Sequence, residues 1–172
     1  MTKFYNIINF STLVKLTIIL IPYFTYSQTT KFKPLFGVIF DSLKGPELIN
    51  QCTRDTPQNI NSFWTPTEGD VKILEKNFKI IYKYPKNKCK VWPGKVKKLE
   101  NFAFQYLGVL IKKNRLIYIN AFPANEVNFF KNNDLDPRNC PRTVCDGGNF
   151  YWGALFDIKT KKFVFLAFNA EE

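Results

Sequence analysis

One stretch of the chain carries a helical stripe, and two later stretches read as strand pairs. Val71, Leu74, Phe78 and Ile81 recur at spacings of three, four and three, which places them on one helical face. Ahead of them stands Thr65-Pro66-Thr67-Glu68, with Thr65 as the cap, Pro66 in the first turn and Glu68 as capping-box partner. The pattern predicts a helix over 65–84, stopped by Pro85. Lys72, Glu75, Lys76, Lys79 and Lys83 fall off the stripe and read as its solvated face.

Residues 102–111 and 116–122 are apolar runs flanking the polar turn 112–115, and 150–157 and 162–168 flank 158–161 in the same way. These predict two hairpins. Neither pair alternates cleanly, so the sheet is expected to be covered on both faces or curled on itself. Gly108 and Gly153, in mid-strand, predict a bulge or sharp bend. The fold class expected is α+β: one main helix packed on a curled four-stranded antiparallel sheet.

The remainder is punctuated by turn residues. Residues 28–37 read as an exposed lead-in, 38–40 as a short edge strand or loop, and 45–61 as loop with one helical turn at 47–51. Segment 123–149 is a loop long enough to require a role. Its Asn132-Asn133-Asp134-Leu135-Asp136 run lacks the glycine and terminal glutamate of a calcium loop and reads as turn chemistry.

At the N-terminus, Lys3 precedes an apolar run over 13–24, and Ser27 and Thr25 offer small residues for a cut after position 27. The pattern predicts a signal peptide over 1–27, with a run too short for a comfortable membrane span. The expected organisation is then 28–61 as lead-in and loops and 62–172 as one domain, exported and with no integral span after cleavage. Cys52, Cys89, Cys140 and Cys145 form an even set suited to two disulfides in an oxidising compartment, with three pairings open. Their spacing does not suit a four-cysteine zinc site.

Composition narrows the chemistry. With 45% hydrophobic and 17% aromatic residues, 172 residues can bury one substantial core. Lys and Arg number 25 against 14 acids, a net +11, and loss of two lysines with the signal peptide leaves +9. Such a surface suits an anionic envelope component or an acidic protein, and export makes nucleic acid a poor partner. Histidine is absent, which removes Ser-His-Asp and Cys-His catalysis and His-ligated metal sites. Of the main candidate carboxylates Glu68, Glu75, Glu126, Asp134, Asp136, Asp146 and Asp157, only Glu126 and Asp146 lack a local role, so a carboxylate-dependent hydrolase is the alternative, and a structural or assembly role a further one. No catalytic residue, cofactor or metal is expected.

Residues 86–98 are the most basic segment and offer Trp92, Lys95, Lys97 and Lys98 as a binding patch. Phe150, Tyr151 and Trp152 are consecutive and must point to both faces of a strand, so Tyr151 or Trp152 could join Phe122 in an exposed patch. Asp146-Gly147-Gly148 reads as a strand-starting turn with positive φ at the glycines.

Phe63-Trp64-Thr65-Pro66, Gln105-Tyr106-x-Gly108, the run 117–123 and Cys145-Asp146-Gly147-Gly148 through Phe168-Asn169 together resemble a family of uncharacterised secreted bacterial proteins. The resemblance covers 60–169, implies bacterial export and a structural role for these motifs, and adds no catalytic residue. The order of helix then sheet is also similar to the cystatin-like roll. The inhibitory Gln-x-Val-x-Gly loop of that group is not matched, so protease inhibition does not carry over.

Overall fold

Lys112 and Lys113 both take positive φ (47° and 68°) and close a two-residue turn between strands β3 (Phe102–Ile111) and β4 (Asn114–Pro123). Asn114 and Arg115, expected in the turn, therefore pair within the ladder. The computed structural model describes residues 32–85 and 94–171, so the signal segment, Cys89 and Trp92 lie outside the described residues.

The second hairpin joins β5 (Trp152–Asp157) to β6 (Lys162–Phe168). Asp157 accepts the backbone N–H of Lys159 and Thr160, the local bond that holds its turn. Phe150 is not in the strand: Gly148–Phe150 form a 3-10 turn, and the ladder starts at Trp152.

The sheet is larger than the two hairpins. Its order is β1-β3-β4-β5-β6, where β1 is Gly37–Ile39, and β2 (Ile60–Trp64) shares the outer edge of β3 beyond β1. β1 runs parallel to β3 while all other pairs are antiparallel. The expected four-stranded antiparallel sheet is thus, among the described residues, a six-stranded mixed one, with three α-helices in place of one, α1 (Gly45–Ile49), α2 (Glu68–Asn77) and α3 (Asn128–Asn132).

α2 starts two residues later than its sequence pattern suggests. Thr67, not Thr65, is the cap: its hydroxyl accepts from Asp70 N–H, and Asp70 accepts from Thr67 N–H. Glu68 instead pairs with Lys72 one turn on. After Asn77 the chain tightens to a 3-10 helix over Phe78–Lys83, in which a spacing of three keeps Phe78 and Ile81 on one face. All four stripe residues are buried. Glu75 is half-buried and not fully solvated, since its carboxylate accepts from the Tyr106 hydroxyl at 3.5 Å.

Both faces of the sheet are covered. On one, Phe104, Tyr106, Ile117, Ile119, Trp152 and Phe156 pack under α2 and its 3-10 extension. Trp152 is fully buried with Phe78, Phe102 and Phe104 edge-on at 5.6–6.4 Å. Such aromatic pairs add about 0.5–1.5 kcal/mol each beyond their burial. Phe32 sits in this core edge-on to Phe78, so 32–61 belongs to the domain and is not an exposed lead-in. On the other face, Phe40, Leu48 and Ile49 cover Leu107, Val109, Leu116 and Leu155, while Phe130 of α3 covers Ala103 and Phe122. That is the role of the long 123–149 segment: it roofs one end of the second face.

Gly108 and Gly153 mark no bulge, since the register shifts fall at Ile60/Ser62 and Leu155/Phe156. They mark close approach. A Cβ on Gly108 would lie 2.3 Å from the Trp64 backbone oxygen and ring, and one on Gly153 would lie 2.6 Å from the Tyr118 hydroxyl.

Candidate functional site

Across the middle of the second face, Gln105, Asn120 and Gly153 lie side by side on β3, β4 and β5. Because Gly153 carries no side chain, the buried Arg54 guanidinium fits over it, with Nε 3.1 Å from where a Cβ would stand. Arg54 Nη2–H donates to Asn120 Oδ1 (2.7 Å) and to the Tyr118 hydroxyl (3.1 Å). Asn120 donates onward to Gln105 Oε1 and the Arg142 carbonyl, both at 3.0 Å, and Gln105 donates to the carbonyls of Pro137 and Cys140. The row therefore stitches the 123–149 segment to the sheet. Burial is the main force on its titrating groups: it pulls the Arg54 pKa down and pushes that of Tyr118 up, against their mutual bond.

One disulfide anchors this region. Cys52 is bonded to Cys145, and the Thr53 hydroxyl donates to the Cys145 carbonyl while accepting from Ala170 N–H. Cys140 is a free, half-buried thiol, so of the two bridges expected the described residues contain this one. Next to it, Arg142 pairs with Glu126 at 2.7 Å, and the Tyr151 hydroxyl donates to the other oxygen of the same carboxylate. Burial first, then the bond to Glu126, raises the Tyr151 pKa to about 12. Glu126 is thus held on both oxygens. Asp146, whose charge also pushes the Tyr151 pKa up, lines a hollow of about 500 Å³ with Lys97, Gly147, Asn149, Phe150 and Glu171.

Asp146-Gly147-Gly148 is a turn with both glycines at positive φ (85° and 52°). Asn169 secures it, donating to the carbonyls of Val144 and Asp146, and Gly148 N–H donates to the Ala170 carbonyl. The turn leads into the 3-10 segment and only then into β5. That extra turn sets which way each aromatic faces. Trp152 points into the core, Tyr151 is half-buried against Glu126, and Phe150 is 50% exposed. Trp152 and Phe122 are fully buried and drop out of any surface patch, and Phe150 takes the outward position.

Phe150 has a basic neighbour. Lys97 Nζ lies 3.4 Å from the centre of its ring, and Lys95 and Lys98 are also exposed. These lysines line a second hollow of about 720 Å³ together with Tyr82, Val96 and Asn149, sharing Lys97 and Asn149 with the first. The Asn149 carboxamide oxygen accepts Lys95 N–H, fixing the basic segment against the turn.

The buried row escaped sequence reading, although it left a trace: Gln105 and Asn120 are polar residues in the middle of otherwise apolar runs. Arg54 left none beyond its place two residues after Cys52. No protein-family model, curated protein or solved structure matches this chain. Among the described residues, no helix is long and apolar enough to cross a membrane.

Proposed function

We propose that the protein is exported and acts by non-catalytic binding, with its Lys95–Lys98 end holding an anionic envelope component or an acidic protein. The observation that carries this reading is the cluster of exposed Lys95, Lys97 and Lys98 around two adjoining hollows, with Phe150 half-exposed under the Lys97 ammonium. Lysines give long-range attraction and Phe150 gives an apolar anchor at the point of contact. The Cys52–Cys145 bond supports export, since such bonds persist in oxidising compartments. Kinship with exported bacterial proteins belongs to the same proposal. The motif residues Trp64, Gln105, Gly108, Asn120, Cys145 and Asn169 have the structural roles that the resemblance implies for them.

The hydrolase alternative needs Asp146 and Glu126 together in one cleft. Glu126 is held on both oxygens by Arg142 and Tyr151, which favours binding, while Asp146 lines the hollow that holds Lys97 and Glu171. The test is retention of the mature protein on isolated envelope across a salt series. K95E/K97E/K98E replaces three positive charges with negative ones, and retention is expected to fall roughly tenfold or more at low salt. Unchanged retention would remove this reading.

A further inference from the structure

Among the described residues, the opposite end of the sheet carries more exposed cations than Lys95, Lys97 and Lys98 supply. Because β4 and β5 pair antiparallel, the turns at 112–113 and 158–161 emerge at the same end, their centres about 10 Å apart at normal strand spacing. Lys112, Lys113, Arg115, Lys159, Lys161 and Lys162 are all exposed there. Arg115 leans on Asp70 at 3.6 Å and over Trp64, but the five lysines have no acidic partner among the described residues. Asp157 is occupied with the amides of its own turn and Asp70 with the cap of α2. Lys112, Lys113 and Lys161 also occupy left-handed backbone, where Gly or Asn is preferred, so lysine stands there against local preference.

We propose that these two turns form a second docking surface, fitted to a linear polyanion. The hollow between them, about 330 Å³, is lined by Lys113, Asn114, Arg115 and Lys159 but also by Asp70 and Asp157. A small anion seated in it would meet both carboxylates. A chain lying across the turns also reaches Lys112, Lys161 and Lys162, which do not line the hollow. A membrane is a poorer fit, because neither turn exposes a large apolar side chain for insertion, and the exposed Val164 lies within β6. The surface is independent of the one proposed above. Ten residues of β3 separate the two ends by about 30 Å, several screening lengths at physiological salt.

The experiment titrates the mature protein with inorganic polyphosphate in a salt series and compares K112N/K113N/K159Q/K161N/K162Q with the parent. Asn suits the left-handed positions, and thermal unfolding confirms that the variant is folded. The variant's affinity is expected to fall roughly 100-fold at low salt, with the slope of log K against log salt shrinking by roughly 3. K95E/K97E/K98E should leave that affinity within about twofold, which separates this surface from the envelope-binding end. Undiminished affinity in the five-site variant overturns the proposal, as does loss confined to K95E/K97E/K98E. Equal competition by the same phosphate concentration as free orthophosphate overturns the extended ligand. Binding to phosphatidylglycerol vesicles without binding to polyphosphate assigns the surface to lipid and overturns it too.

Discussion

The Cys52–Cys145 bond closes 93 residues of chain, so removing it should act mainly on the unfolded state. Loop-closure entropy for a loop of that length is worth about 4.5 kcal/mol at 25 °C. The folded state loses less, because the Thr53 hydroxyl still bonds Cys145 and Ala170, and Arg54 still reaches Asn120 and Tyr118. C52A/C145A is therefore expected to be less stable by about 4–5 kcal/mol, a large share of the 5–15 kcal/mol typical of a domain. Urea unfolding followed by tryptophan fluorescence measures it, with the fully buried Trp152 as a reporter. The dependence on urea should also steepen, since an uncrosslinked chain exposes more surface. A loss below about 1 kcal/mol with an unchanged slope would refute the reasoning. A large loss with an unchanged slope would place the effect in the folded state instead.

Two further outcomes follow from local geometry. K112N/K113G should stabilise by about 1 kcal/mol, because both positions have positive φ and Asn-Gly is the preferred pair in such a hairpin turn; thermal unfolding would show a rise of a few degrees. Tyr151, with its pKa raised to about 12, should stay protonated where ordinary tyrosines ionise. Its contribution to stability is then fully present below pH 10 and lost as pH rises toward about 12, because the folded-state pKa lies above the unfolded one. Ultraviolet titration of E126Q should show the Tyr151 pKa lowered but still above the ordinary tyrosine value, since burial is the larger cause and remains. An unshifted Tyr151 in the parent, or no change in E126Q, would contradict this.

What the chain determines locally was legible. The 71–74–78–81 stripe, β3 to the residue and the positive φ at Gly147 and Gly148 all depend on backbone geometry and on neighbours within a few positions. Strands apolar on both sides leave no side for water, and of the two outcomes expected from them, a sheet covered on both faces or curled on itself, the packing shows cover on both faces. The start of α2 was misplaced for a local reason. Thr65…Glu68 has the usual capping-box residues, whereas the folded chain closes the box with Thr67 and Asp70, an aspartate in place of Glu or Gln.

Only the tertiary structure decided the rest. Cys52 pairing with Cys145, the parallel docking of β1 on β3 and the burial of Phe32 each join distant segments that no local periodicity links. The direction of the aromatics at 150–152 turned on one inserted 3-10 turn, because in a strand a shift of one residue exchanges the faces. Gly153 read as a bend because its missing side chain was visible, while the Arg54 guanidinium that fills its place comes from 99 positions earlier in the chain. The Asp146-Gly147-Gly148 turn was recognisable from its residues alone; that it sends Phe150, and not Trp152, to the surface beside Lys97 required the packed molecule.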